Sequence, residues 1–451
     1  MLPSKEIMHQ ETNAQSPFKS LLMTSLGGCF EFYDFIIFVL FGPYFSQVIF
    51  PAEAENSIIP LLQVYAVFAV GYIARPIGGI FISHLGDQYG RRKAMILSVC
   101  IMSTCTLMMG LLPGYAHIGI WAPVLFSTFR ILQGIALGGE LPGCITYISE
   151  MLPQARGISC AIVFGIVGLS VSLGAFNEWL IASLLSEQAV YDFGWRIPFI
   201  LGFFLGAVTL IIRLKSQETL NFRAKKKEKR KAHGRSDLPP IVFILRFFPL
   251  QAIGGGLITG YVASLVSLVY LVMNAYLLDL GYQDTHIASA LSINMLITSI
   301  LYIFWGYFSD KINFRKVLVL SILVFWVVLP VIYQRIIDHQ GILLCNLLTL
   351  AVFNSIGWAT IPKTLAEIFP TEARFSGVAL SYNLGFATLG GLAPVTVTYF
   401  MAELNSPFVP VWYLWGASVF CLIGLLMIYI GNKQLGIHDH IANELEQKNA
   451  R

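Results

Sequence analysis

Glu150-Met-Leu-Pro153-Gln-Ala-Arg156-Gly157 and Glu367-Ile-Phe-Pro370-Thr-Glu-Ala-Arg374-Phe-Ser-Gly377 are two versions of one phrase, Glu matching Glu and Pro matching Pro at an offset of 217 residues. A second echo joins Gly86-Asp87-Gln-Tyr-Gly90-Arg91-Arg92-Lys93 to Ser309-Asp310-Lys311-Ile-Asn-Phe-Arg315-Lys316, at an offset of 223. Each phrase follows a long apolar stretch. Windows of about 19 residues predict spans near 20–45, 60–83, 94–112, 121–148, 159–185 and 196–213, then near 249–278, 287–308, 317–334, 341–366, 376–401 and 408–431. The offsets therefore cross six helices, an even number. That places both halves in the same orientation and makes the repeat parallel.

Composition agrees with a lipid solvent. Of 451 residues, 56% are hydrophobic and only 12% charged, where a soluble domain is nearer a quarter charged. At roughly 20 apolar residues per span, about a dozen crossings use most of the apolar sequence. A large catalytic domain outside the membrane is not expected. Residues 1–17 are polar, without the pattern of a removable secretory signal, so the first helix is expected to stay as an anchor. The seven cysteines lie in apolar stretches with no C-x-x-C pair, which predicts packing residues rather than disulfides or metal ligands.

The charges orient the chain. Between Arg213 and Asp237 stand ten Lys or Arg against three acids, a solvated loop by composition. With that loop in the cytosol, both termini are cytosolic and 23 of the 29 basic residues fall inside, while the outer loops hold Arg335 as their single base. That asymmetry satisfies the positive-inside rule. It also uses up the net charge of +4, leaving no basic surface for nucleic acid. The expected organisation is a cytosolic tail (1–17), a six-helix bundle (18–213), a basic linker (214–240), a second bundle (241–431) and a cytosolic tail (432–451).

Several motifs carry a family resemblance. Gly86-Asp87-x-x-Gly90-Arg91-Arg92 resembles the signature loop of the major facilitator superfamily, and Arg130-Ile-Leu-Gln133-Gly134-Ile-Ala-Leu-Gly138-Gly139-Glu140 its fourth-span motif. Gly27-Gly28-Cys-Phe-Glu31-Phe32-Tyr33-Asp34-Phe35, Ala74-Arg75-Pro76-Ile-Gly78-Gly79, Gly194-Trp195-Arg196-Ile-Pro198-Phe199 and Glu367-Ile-Phe-Pro370 together resemble the metabolite:proton symporter family. That family includes permeases for alpha-ketoglutarate, citrate, shikimate, and proline or betaine. Its members usually carry Asn at the place of Gly28 and Trp at that of Phe32. Pro113-Gly-Tyr-Ala-His-Ile-Gly-Ile-Trp121-Ala-Pro123 is similar to the outer loop of the dicarboxylate permeases. The resemblance implies an all-α membrane protein of twelve transmembrane helices in two parallel-repeat six-helix bundles, embedded as a monomer in the inner (plasma) membrane.

Charged side chains within a span cost at least about 2.5–3.5 kcal/mol each on insertion scales, so those retained face protein or water. Glu31 and Asp34 are three apart and share a helix face. At about 1.5 Å per residue they lie roughly 18 and 22 Å in from the cytosol, and Arg130 roughly 13 Å from the outer face of a slab about 30 Å thick. The depths coincide. One reading is a proton-coupling trio, in which Arg130 holds one carboxylate ionised and the other exchanges a proton; the other is a static ion cluster. Arg130 also sits in a Gly134, Gly138 rhythm that permits close helix contact. Arg75 either binds a substrate carboxylate, pairs with Glu140 or snorkels. Arg196 reads as an interface anchor or, by resemblance, a transport residue, and Glu178 as an interfacial carboxylate. Tyr33, Tyr270, Asn274, Asn354, Trp358, Tyr382 and Asn383 either line the pathway or hydrogen-bond between helices.

By resemblance, Asp87, Arg91 and Arg92 form a cytosolic latch, with Asp310 and Arg315 its degenerate copy. Glu140, Glu150, Arg156, Glu367 and Arg374 join them as gating residues. The sequence has no phosphate loop, no H-E-x-x-H, no G-x-S-x-G and no His/Cys cluster of metal spacing, so neither an enzyme nor a cofactor or metal is expected. The tail after Gly431 has no sustained heptads, which gives no support to a coiled-coil sensor. The expected function is proton-coupled import of a small carboxylate-bearing organic acid by alternating access. A zwitterion such as proline or betaine is the alternative, and a channel stands behind both. A dicarboxylate needs a second cation, for which the second half offers Lys363 and Arg246.

Overall fold

The computed structural model describes residues 37–51, 59–89, 91–215, 240–370 and 374–434, with Leu21, Ser25, Gly28, Cys29, Tyr33 and Asp34 of the first span. Among the described residues there is no strand. In lipid each backbone polar group must be satisfied within its own segment, which a helix does and an open sheet does not. The first span turns at Phe41 into Gly42–Ile49. The second (Ile59–Tyr89), third (Arg91–Leu111), fifth (Arg156–Leu184), eighth (Asp284–Ser309), ninth (Phe314–Ile337), tenth (Leu343–Glu367) and twelfth (Val409–Gln434) are continuous helices.

The remaining spans are interrupted. The fourth breaks at Gly138-Gly139 into Trp121–Leu137 and Glu140–Met151. A bent segment, Glu187–Gly194, leads at 48° into the sixth, Arg196–Lys215. The seventh passes from Pro249–Val266 through a π-helical turn, Ser267–Leu271, into Met273–Asp279, and the eleventh from Arg374–Gly385 through a π-turn, Phe386–Gly390, into Gly391–Leu404. A separate short helix, Pro240–Phe247, precedes the seventh span. Such interruptions are tolerated only where neighbouring protein re-satisfies the freed backbone groups.

The packing repeats in the two halves. The second span lies on the fourth and the eighth on the tenth; across the halves, the fifth runs along the eighth while the second meets the eleventh. Glycine sets the second-to-fourth contact: a Cβ on Gly134 would collide with the Gly71 carbonyl, and one on Gly138 with the Arg75 carbonyl. The backbones touch directly, as small-residue interfaces in lipid require. On the outside, Leu320, Val327 and Leu426 stay exposed, a surface that only lipid solvates without penalty. The seven cysteines are free; five are buried, Cys100 is half-buried and Cys345 is exposed.

Candidate functional site

Asp34 and Arg130 are buried among apolar neighbours. The Arg130 Nη1 donates to Gln133 Oε1 at 3.3 Å, and Gln133 Nε2 donates to Thr106 Oγ1 at 2.6 Å. Thr106 adjoins the Asp34 carboxylate, whose other flank is Gly202 of the sixth span, where any Cβ would run into it. The first, third, fourth and sixth spans thus meet at one polar chain inside the first half. The Arg130 guanidinium also lies over the Phe38 ring, 4.0 Å from its centroid, and 5.1 Å from that of Phe68. Glu31 lies outside the described residues, as do the side chains of Asp87, Arg91, Arg92 and Glu150.

Arg75 is 1% exposed, which excludes the snorkelling reading. Its Cζ stands 4.1 Å from the Tyr72 ring centroid and 5.2 Å from that of Phe386, two rings stacked at 5.4 Å with 21° between their planes. Tyr382 packs on Phe386 at 4.7 Å, Trp358 lies 6.1 Å from Phe386, and Phe164 stacks on Trp358 at 4.7 Å. Tyr72 and Phe164 belong to the first half; Trp358, Tyr382 and Phe386 to the second. The cluster is therefore shared by both halves.

The polar candidates of the second half hydrogen-bond between helices. Asn354 Nδ2 donates to the Tyr302 hydroxyl at 3.0 Å and the Tyr270 hydroxyl at 3.3 Å, and Tyr270 pairs with Thr298 at 3.0 Å. Asn383 Nδ2 reaches the Gly138 carbonyl at 2.7 Å, for which Pro142, four residues on, has no N–H to offer. Asn274 donates to Glu178. Glu178 is thereby corrected: it is no interfacial carboxylate but 1% exposed, joining the fifth span to the seventh. Tyr33 is fixed inside the first half, accepting from Asn177 Nδ2 at 2.6 Å and donating to the Pro198 carbonyl at 3.4 Å.

Arg196 is not brought to the centre. It stacks on Trp195 at 4.1 Å and donates to the Leu112 carbonyl at 3.1 Å and the Asp192 carbonyl at 3.5 Å, lining a cavity of about 600 Å³ with Gln47, Tyr115 and His117. Where the eighth span ends, Asp310 accepts from the backbone N–H of Gly157 at 2.8 Å and of Ile158 at 3.0 Å, and from Lys363 Nζ at 3.1 Å. It caps the fifth span of the other half, where a carboxylate meets the positive end of the helix dipole. Arg315 pairs with Glu367 at 3.2 Å, and Arg156 Nε donates to the Ser149 carbonyl at 3.3 Å. Glu140 is buried at the start of the fourth span's second piece, and half-buried Arg374 opens the eleventh span.

Sequence reasoning missed Gln133, Thr106, Tyr72, Phe164 and Phe386. Gln133 carried a signal, being three residues after Arg130 and so on the same helix face. The aromatic residues carried none, since 13% of the chain is aromatic and a ring in an apolar span fits any packed core. Among the described residues, no group of three or more His, Cys, Asp or Glu side chains is placed to hold a metal.

Known proteins resemble this chain over nearly its whole length. A family model described as sugar (and other) transporter matches residues 20–236, and one described as Major Facilitator Superfamily matches residues 255–447. The glycine betaine/proline/ectoine/pipecolic acid transporter OusA of Dickeya dadantii is 31% identical, over 95% of this chain and 87% of its own. The proline/betaine transporter of Salmonella typhimurium is 30% identical over the same shares. Among solved structures, the proton:xylose symporter XylE bound to a bromodeoxyglucose superposes with a TM-score of 0.70 at 17% identity, covering 93% of this chain and 96% of that one. The inward-open XylE from E. coli gives 0.67 at 17% identity, covering 91% and 95%. These structures share the fold.

Proposed function

We propose for this chain, which belongs to the major facilitator superfamily and within it to the metabolite:proton symporter family, the function of a proton-coupled symporter importing a small zwitterion of the proline or betaine kind. The organic-acid reading yields to its alternative on one observation: buried Arg75 lies against rings of both halves, while the second-half cations are engaged elsewhere. Lys363 is held by Asp310 and the Ser309 carbonyl, and Arg246 is exposed on the short helix before the seventh span. A dicarboxylate sharing the cluster lacks the second-half partner it needs. A substrate with one carboxylate and one ammonium matches one guanidinium and a set of ring faces. The names of the Dickeya and Salmonella relatives support the same choice.

In this reading Asp34 carries the coupled proton. A carboxylate within a span is retained for such relays, and Gln133 and Thr106 join it to Arg130. Asp310, Lys363, Arg315 and Glu367 hold the cytosolic side, and the bundles 18–213 and 241–431 rock about the shared cluster. The protein works as a monomer in the plasma membrane, with both termini in the cytosol.

The test is uptake into proteoliposomes under an imposed inward proton gradient, with betaine, proline, dicarboxylates, tricarboxylates and shikimate. Betaine or proline is expected to accumulate, with saturation and counterflow. Uptake of a dicarboxylate without either zwitterion restores the organic-acid reading. A folded preparation that moves no substrate in response to the gradient removes the symporter, and flux without saturation makes it a channel.

A further inference from the structure

Resting on the zwitterion reading, we propose that the faces of Tyr72, Phe386, Tyr382 and Trp358 form a subsite selective for a methylated, quaternary ammonium, and that the guanidinium of Arg75 holds this place until substrate arrives. The geometry makes the case. Arg75 is fully inside and lies 4.1 and 5.2 Å from the centroids of Tyr72 and Phe386. Both distances fall within the roughly 6 Å over which a ring quadrupole attracts a cation, an attraction that grows when water is excluded. The place occupied by the guanidinium, against the rings of Tyr72 and Phe386, thus suits a diffuse, weakly hydrated positive charge. Tyr382, 4.7 Å from Phe386, and Trp358, 6.1 Å from it, extend the aromatic wall, and Phe164 backs Trp358.

Ring faces select among ammonium groups because they offer negative potential but no lone pair. A quaternary ammonium has no N–H to satisfy and loses nothing there. A primary or secondary ammonium brings two or three N–H groups, each costing about 1–3 kcal/mol if buried without an acceptor. When the substrate's ammonium takes the rings, Arg75 is released to the carboxylate of the same molecule, a bidentate pair that guanidinium geometry favours. Tyr72 comes from the second span and Phe386 from the π-turn of the eleventh, so a bound ammonium ties the halves together. Selection and occlusion then share one contact.

The experiment measures initial uptake of glycine, sarcosine, dimethylglycine and betaine, which share one carboxylate and differ by a methyl at each step, together with proline. The wild-type KM is expected to fall along the series, by about tenfold or more from glycine to betaine. Tetramethylammonium chloride is expected to inhibit betaine uptake competitively, which ammonium chloride does not do. Phe386→Leu is expected to raise the KM for betaine by about tenfold while changing that for glycine or proline little, and Phe386→Tyr to keep the wild-type preference. A series without methyl dependence, together with no inhibition by tetramethylammonium, overturns the subsite and leaves zwitterion transport standing, as does Phe386→Leu weakening all substrates equally. If the wild-type protein transports none of the series or proline, the zwitterion reading itself falls.

Discussion

At the scale of single residues, the chain separates charges that the sequence reveals from contacts that it hides. Asp34 and Arg130 were legible because a charge in an apolar span has no cheap reason to be there. Replacing Asp34 with Asn is expected to abolish gradient-driven accumulation while substrate counterflow, which needs no net proton movement, persists in the inserted protein. Wild-type accumulation in that variant removes Asp34 from the proton path. Gln133→Leu leaves the Arg130 Nη1 and the Thr106 hydroxyl without the amide that joins them. A loss of about 1–3 kcal/mol is expected, read as a lower thermal midpoint in detergent together with weaker accumulation. Arg196 shows the opposite case. Its motif drew attention, but the structure puts it at the start of the sixth span over Trp195. Phe386 had no signal at all, because a phenylalanine in an apolar helix predicts only burial.

At the scale of helices, the apolar windows give the crossings but not their interruptions. A hydropathy sum is indifferent to whether the chain turns at Gly138 or continues, and the seventh and eleventh spans read as uninterrupted although each contains a π-turn. The detail matters: Pro142, without an N–H, leaves the Gly138 carbonyl to Asn383, and the turn in the eleventh presents Phe386. The Gly134, Gly138 rhythm was readable as a contact face, and its partner glycine, Gly71, was not. Gly134→Ala would press its Cβ into the Gly71 carbonyl and is expected to cost about 1–3 kcal/mol by overpacking. Gly416, with nothing within 4 Å of a built Cβ, is the control, and Gly416→Ala is expected to leave the thermal midpoint unchanged. Equal melting of the two variants would contradict the close second-to-fourth contact.

At the scale of the whole molecule, transport depends on two halves held together at different levels. Asp310 caps the start of the fifth span of the opposite half, and farther along that span Asn274 meets Glu178. Asp310→Ala removes the acceptor from the amides of Gly157 and Ile158, and their hydrogen exchange is expected to quicken by about tenfold or more, with reduced transport. Unchanged exchange in the peptide 156–160 would show that the cap does not hold the cytosolic side. The sequence by itself determined the apolar spans, the two repeated halves and the bias of charge among the loops, because hydropathy and charge count add residue by residue and a repeat is a property of order. Only the tertiary structure decided that Tyr72 and Phe386 face each other beside Arg75, that Gln133 and Thr106 join Arg130 to Asp34, and that Glu178 is buried. Those meetings depend on how helices far apart in sequence rotate and break against one another, which no local pattern encodes.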